Sequence, residues 1–227
     1  MPQSIFLYYI TDRTQFLGDE SARRRALLAK IAEATEAGVS YIQLREKDLS
    51  ARELEGLARD AVRAIGEAQG TENRKLRTGL LINSRTDIAL AVGADGVHLR
   101  ADDLSVAEVR SAWMNVLARS SRPGARSPVI CCSCHTQPDV IRAQSEGADF
   151  AVFAPVFEKR DRPDTRPAGL DLLREASKAG MPVLALGGVK LENAASCLEA
   201  GAAGIAGIRL FQENKIQDVV RALEIGR

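Results

Sequence analysis

Apolar residues in this chain come in short blocks, and each block is followed by a longer stretch where they recur every three or four positions. The first block runs from Ile5 to Thr11 and ends in Asp12-Arg13. Ala26, Leu27, Ile31 and Ala34 then follow at helical spacing, which predicts a helix over 20–37 that stops at Gly38. The same alternation returns down the chain. Further strands are predicted from Tyr41, over 79–83, over 97–99, in the cysteine-bearing block from Val129, and over 150–156, 182–186 and 204–210. Helices are predicted over 50–66, 86–92, 105–118, 137–146, 170–179, 191–200 and 216–225. Ser50 and Ser105 open two of them, with Glu53 and Glu108 at capping-box spacing. Segments 70–78 and 120–127 read as polar linkers. Segment 157–167 is charged and proline-containing, as expected of a lid that orders over a bound anion.

Strand and helix thus alternate strictly through eight units. Four turns of similar form (Ala37-Gly38-Val39, Gly93-Ala94-Asp95-Gly96, Gly147-Ala148-Asp149 and Gly201-Ala202-Ala203-Gly204) repeat the punctuation. Such repetition implies a parallel sheet. Eight units close into a (β/α)8 TIM barrel, an α/β fold here expected as a single domain over 1–227. An open doubly wound sheet is the alternative.

Composition supports this picture. The chain has 227 residues, suited to one barrel of about 250 residues, with 45% hydrophobic and 27% charged residues. A net charge of +1 gives no support for nucleic-acid or membrane-surface binding. No apolar run approaches the roughly 20 residues of a membrane helix. Met1-Pro2-Gln3-Ser4 leads into a strand rather than a signal peptide, so a cytoplasmic location is expected. Cys131 and Cys134 are three apart on a predicted strand and so face opposite sides, which disfavours a shared metal or a disulfide. Small buried reduced thiols are expected, with Cys197 distant.

Candidate chemistry gathers where a barrel keeps its active site, at the C-terminal ends of the strands. In Tyr41-Ile42-Gln43-Leu44-Arg45-Glu46-Lys47-Asp48, strand alternation puts Gln43, Arg45 and Lys47 on one face. An amide and two cations suit a diphosphate, since arginine offers a planar fork and lysine a point charge. Other strand ends carry Asp12, Asn83, Arg100 to Asp103, Ser133 with His135, and Gly187-Gly188. The paired glycines, together with a strand eight finishing in Arg209, occupy the usual phosphate place of such barrels. Two anionic regions are expected, a diphosphate near strand two and a monophosphate near strands seven and eight. His98, alternating with Val97 and Leu99, reads as a hydrogen-bonded barrel residue rather than a catalyst.

Tyr9-Ile10-Thr11-Asp12, Gln43-Leu44-Arg45-Glu46-Lys47-Asp48, Asn83-x-Arg85-x-Asp87-Ile88-Ala89, Ala94-Asp95-Gly96-Val97-His98-Leu99, Ser133-x-His135, Pro155-Val156-Phe157 and Gly187-Gly188 stand in one order along nearly the whole chain. In these motifs the chain resembles the thiamine phosphate synthase family and its relatives, the thiazole tautomerases. The resemblance implies a transferase that couples hydroxymethylpyrimidine diphosphate to a thiazole phosphate, releasing pyrophosphate with Mg²⁺. It assigns Gln43 to the pyrimidine, and Arg45, Lys47 and Asn83 to the diphosphate. Ser133 falls beside diphosphate and substrate, Gly187-Gly188 on the thiazole phosphate, and Asp103 on the metal. Only small phosphorylated partners are implied, and homo-oligomerisation stays open.

The chain departs from that pattern at several positions. Ser84 stands where the synthases carry a second metal-binding aspartate, with Asp102 nearby as a substitute. Arg100-Ala101 replaces Gly-Gln, and the stretch around Lys159-Arg160-Asp161-Arg162 replaces Thr-x-Thr-Lys. Arg209 falls where a small serine is expected. A thiazole tautomerase with His135 as acid or base, or a non-catalytic binder of thiamine precursors, is the alternative. The intact Gln43-x-Arg45-x-Lys47 favours the synthase, because a tautomerase handles no diphosphate. A sugar-phosphate epimerase would need paired carboxylates at the strand ends, which are not found.

Overall fold

A computed structural model describes residues 5–70, 77–119, 126–158 and 166–225. Eight parallel strands close into a barrel in sequence order. They are β1 (Phe6–Ile10), β2 (Tyr41–Leu44), β3 (Gly79–Asn83), β4 (Gly96–Leu99), β5 (Val129–Cys134), β6 (Phe150–Phe153), β7 (Val183–Ala185) and β8 (Gly204–Gly207). The outer helices are α1 (Glu20–Glu36), α2 (Ala51–Gln69), α3 (Thr86–Val92), α4 (Val106–Arg119), α5 (Gln137–Ser145), α6 (Gly169–Ala176), α7 (Leu191–Glu199), a short α8 (Arg209–Gln212) and α9 (Ile216–Ile225). β8 pairs with β1, so no strand edge is left open. The open doubly wound alternative is thereby excluded.

Strand alternation divides the buried residues between two cores. Outward-facing Leu7, Tyr9, Ile42, Leu44, Leu80 and Ile82 pack beneath the helices. Inward-facing Tyr8, Ile10, Leu81, Cys131, Phe150, Val152, Leu184 and Ala206 fill the barrel. At its N-terminal end Phe6, Tyr41 and Phe150 form an aromatic plug, with centroids 5.0 to 5.5 Å apart. Tyr8 meets Phe150 edge-on at 5.4 Å. A barrel plugged at one end leaves only the other for a ligand.

Helix starts follow local chemistry. Ser50 accepts from the Glu53 N–H while Glu53 accepts from the Ser50 N–H, a reciprocal capping box. Thr136 and Asp139 repeat the device at α5. Cys131 lies inside the barrel and Cys134 in the outer layer, so the two side chains do face opposite sides. All four cysteines are free. No helix among the described residues is long and apolar enough to cross a membrane.

Five strands end earlier than the apolar pattern predicts, β1 and β7 by a single residue. β2 stops at Leu44, β6 at Phe153 and β8 at Gly207. The last case is a correction: Arg209 does not end strand eight but begins α8. Leu210 and Phe211 are consecutive and both pack in the outer core beneath the helices, which a straight strand, with its alternating faces, cannot provide. The helical turn lets Phe211 reach Tyr9, at 5.7 Å between rings. The expected lid lies largely outside the described residues, as do most of both polar linkers.

Replacing Phe150 by alanine removes the centre of the plug. The substitution should cost about 3–5 kcal/mol of unfolding free energy in urea denaturation, and a loss below about 1 kcal/mol would show the plug to be loosely packed.

Candidate active site

At the C-terminal ends of the strands lies a cavity of about 1670 Å³. Gln43, Arg45, Lys47, Asn83, Ser133, His135, Gly187, Gly188 and Arg209 all line it, although Arg209 arrives there from α8. Asp103 does not line it; it borders a smaller pocket that shares Arg100, Ala101 and Ser133 with the large one.

The inward positions of the last strand turns differ from one side to the other. Consecutive strands β2 to β5 present Gln43, Asn83, His98 and Ser133. The other side presents Val152, Leu186, Ile208 and Ile10. At the level of the strand ends the cavity floor is therefore polar on one arc and apolar on the opposite arc, while the rim beyond the apolar arc carries Asp12, Lys190, Glu192, Arg209 and Glu213.

Side chains on the polar arc hold one another. Gln43 Nε2 donates to Asn83 Oδ1 at 2.8 Å, and Asn83 Nδ2 donates to Ser84 Oγ at 3.1 Å. Ser84 Oγ in turn donates to Asp103 Oδ2 at 2.7 Å, where the Arg100 N–H also donates at 2.7 Å. Ser84 has φ of 58°, a left-handed conformation uncommon for a residue with a Cβ. Deeper in the barrel, His98 bonds Tyr8 through Nδ1 at 3.0 Å and Ser133 through Nε2 at 2.7 Å. His98 is thus a hydrogen-bonded barrel residue. Its burial, aided by the charge of Arg45, lowers the imidazole pKa to about 3, so it is neutral at physiological pH. His135 sits at the rim with Nδ1 2.6 Å from the Ala154 carbonyl oxygen. A carbonyl can only accept, so Nδ1 carries the proton and the other ring nitrogen is the basic one in the neutral ring.

On the opposite side Gly187 and Gly188 both have positive φ, 95° and 66°. A Cβ on Gly188 would stand 2.7 Å from the Phe157 Cβ, so no other residue fits without displacing the chain after β6. Their carbonyls are committed, Gly187 O accepting from the Phe157 N–H at 2.9 Å and Gly188 O from Asn193 Nδ2 at 3.1 Å.

The charged rim depends on an anchor that the motif reading missed. Glu46, 4% exposed, points away from the cavity. Its carboxylate accepts from Thr11 Oγ1 at 2.6 Å, from the Arg13 N–H at 3.0 Å and from Arg13 Nη1 at 3.2 Å. Arg13 also grips Asp48 with both terminal nitrogens, at 2.7 and 2.8 Å, and Glu20 at 2.9 Å. Thr11 Oγ1 accepts from the Arg45 N–H at 3.0 Å. One cluster thereby clamps the chain after β1 to the chain after β2, holding Arg45 and Lys47 on the cavity side beyond the end of the strand. A signal was present in the sequence: Glu46 is a charge at a position whose strand neighbours, Ile42 and Leu44, face the core.

As to metals, no group of three or more histidine, cysteine or acidic side chains that could hold an ion occurs among the described residues. Asp103 is joined to the polar arc through Ser84, while Asp102, which lines the cavity, is paired with Arg100 at 2.6 Å.

Comparison with known proteins places this geometry. The family described as thiamine monophosphate synthase matches residues 7–211. A relative from Geobacter sulfurreducens is 42% identical over 202 residues, covering 88% of this chain and 83% of its own. A thiamine-phosphate synthase from Syntrophomonas wolfei is 36% identical over 202 residues, covering 88% of this chain and 85% of that protein. The solved structure of a thiamine phosphate pyrophosphorylase from Pyrococcus furiosus is 27% identical, with a TM-score of 0.74 over 98% of this chain and 95% of that one.

Arg13→Met should cost about 3 kcal/mol or more at neutral pH in urea unfolding, because it strands the buried Glu46 carboxylate. Hydrogen bonds from Arg13 hold the Asp48 and Glu20 carboxyls below their usual range. A lowered folded pKa contributes stability above the unfolded value that is lost as pH falls through the folded one. The difference between parent and variant should therefore narrow below about pH 4; a constant difference from pH 7 to pH 3 would refute the assignment.

Proposed function

The chain belongs to the thiamine monophosphate synthase family and is a transferase of thiamine biosynthesis; from that premise we propose how its own residues carry the coupling. The substrates are hydroxymethylpyrimidine diphosphate and a thiazole phosphate. The observation that carries the reading is the two-sided cavity, polar along β2 to β5 and apolar with paired glycines opposite.

Gln43 spends one N–H on Asn83 and retains a carbonyl oxygen and a second N–H. That acceptor and donor pair complements the amine and ring nitrogen of an aminopyrimidine edge. Arg45 and Lys47 neutralise the diphosphate beside it. As the pyrimidine's methylene C–O bond breaks, the electron pair leaves with diphosphate, and the ring stabilises the resulting benzylic-type cation. The thiazole nitrogen then donates its lone pair to form the new C–N bond. Little proton transfer is asked of the protein; alignment and neutralisation of the leaving group supply the catalysis. Gly187 and Gly188 offer backbone amides to the thiazole phosphate, with Arg209 close by as a clamp. His135 is left as a rim base with no required step.

Mg²⁺ fits as a cation that arrives on the diphosphate rather than as a resident ion. Such an ion needs one or two carboxylates besides phosphate and water, and Asp103, which borders the adjoining pocket and is joined to the polar arc through Ser84, would supply one. When bound it adds charge neutralisation at the leaving group. A cytoplasmic location belongs to the same proposal, supported by four free cysteines.

Purified protein given both substrates and Mg²⁺ should release pyrophosphate. Tight binding of the pyrimidine diphosphate without release would indicate the non-catalytic binder, and turnover of a thiazole carboxylate alone the tautomerase. Ser84→Asp would set a second carboxylate against Asp103, in a left-handed conformation that aspartate tolerates. The half-saturating Mg²⁺ concentration should fall on the order of tenfold, about 1.4 kcal/mol; an unchanged value would exclude position 84 from the metal's surroundings.

A further inference from the structure

Ser133 is joined to a buried chain of groups that the coupling scheme leaves unused. We propose that Tyr8 and His98 are positioning residues that hold the Ser133 hydroxyl with its proton turned into the cavity, where it donates to the departing diphosphate. This rests on the reading of the cavity as the place of diphosphate release.

The path runs up the inside of the barrel from Tyr8 OH to His98 Nδ1 at 3.0 Å, and from His98 Nε2 to Ser133 Oγ at 2.7 Å. Tyr8 is fully buried and His98 is 3% exposed. The two rings lie nearly parallel, 4° apart. Cys131 belongs to the same inward-facing cluster as Tyr8. Hydrogen bonds so enclosed gain strength from the low dielectric around them.

Such a chain can run in two directions, and the direction sets the polarity of Ser133. In the first, Tyr8 O–H donates to Nδ1 and Nε2–H donates to Ser133 Oγ, which frees the serine proton for a ligand. In the second, Ser133 donates to Nε2 and Nδ1–H donates to Tyr8, so that serine offers only a lone pair. An anion in the cavity selects the first. Burial raises the Tyr8 phenol and the Cys131 thiol above their usual values, so both keep their protons. The imidazole, lowered to about 3, stays neutral. Both orientations are therefore neutral and differ in the imidazole tautomer, and in the first the donor is in place before charge develops on the leaving oxygen.

The chain contains two histidines, and His135 is fixed as the Nδ1–H tautomer by the Ala154 carbonyl. Nitrogen-15 NMR of the wild-type protein with saturating pyrophosphate should then show one ring of each tautomer, with His98 as Nε2–H. Two Nδ1–H rings would overturn the proposal. In steady-state pyrophosphate release, His98→Leu should lower kcat about tenfold or more while leaving KM for the thiazole phosphate within about twofold. His98→Gln, whose amide can donate to Ser133, should recover most of that loss. In a Ser133→Ala background His98→Leu should have no further effect. Unchanged kcat in His98→Leu, or fully additive losses in the double variant, would overturn the relay. Should the leucine variant fail to fold, the wild-type spectrum decides alone. Absence of pyrophosphate release by the wild-type protein would instead refute the coupling reaction, and the tautomer in the pyrophosphate complex would still read the relay.

Discussion

Glu46 is buried beside the cavity it does not face, and three donors from the chain after β1 converge on its carboxylate. A lone carboxylate there would cost several kcal/mol, so the segment carrying it has one low-energy place. Because neighbouring residues in an extended chain face opposite ways, fixing Glu46 inward toward Arg13 turns Arg45 and Lys47 toward the cavity. The charged rim is thus held by an internal ion cluster, although the regular strand has already ended at Leu44.

The same economy governs the interior. An aromatic plug seals the N-terminal end of the barrel, so the polar residues above it stand on a dry floor. From that floor the Tyr8–His98–Ser133 path rises on one side, and the Gln43–Asn83–Ser84–Asp103 path crosses the strand ends next to it. Both chains satisfy groups that burial would otherwise penalise, and both leave donors or acceptors at the cavity wall. The opposite arc needs no such networks because its inward side chains are apolar. A reaction that separates a large anion from a ring cation suits this division: charge is stabilised on one arc, and the second ring approaches from the other.

Much of the barrel was legible along the chain. Eight apolar blocks, each followed by a helical period and four of those periods closed by a similar glycine turn, correspond to the eight strands of the closed sheet. Segment ends were less legible. The block from Gly204 reads as strand through Leu210, yet the chain coils after Gly207 so that Leu210 and Phe211 can both pack in the outer core. Hydropathy records which residues avoid water but not whether consecutive ones can do so on one face; that depends on what packs against them, here Tyr9.

The candidate site divides in the same way. Residue type, alternation and strand-end position were sufficient to gather Gln43, Arg45, Lys47, Asn83, Ser133, His135 and the glycine pair, because closure of a parallel barrel brings all strand ends to one rim whatever their separation in sequence. Asp103 was read toward the same cavity, but Ser84 and the Arg100 amide hold its carboxylate, and it borders the adjoining pocket. The Glu46–Arg13 cluster and the link from Tyr8 through His98 to Ser133 were decided only by the tertiary structure. Their partners lie 33, 90 and 35 positions apart. Periodicity reports the face a side chain takes within its own element; which side chain it meets across the barrel depends on how neighbouring strands are staggered, and that stagger is set by the closure of all eight together.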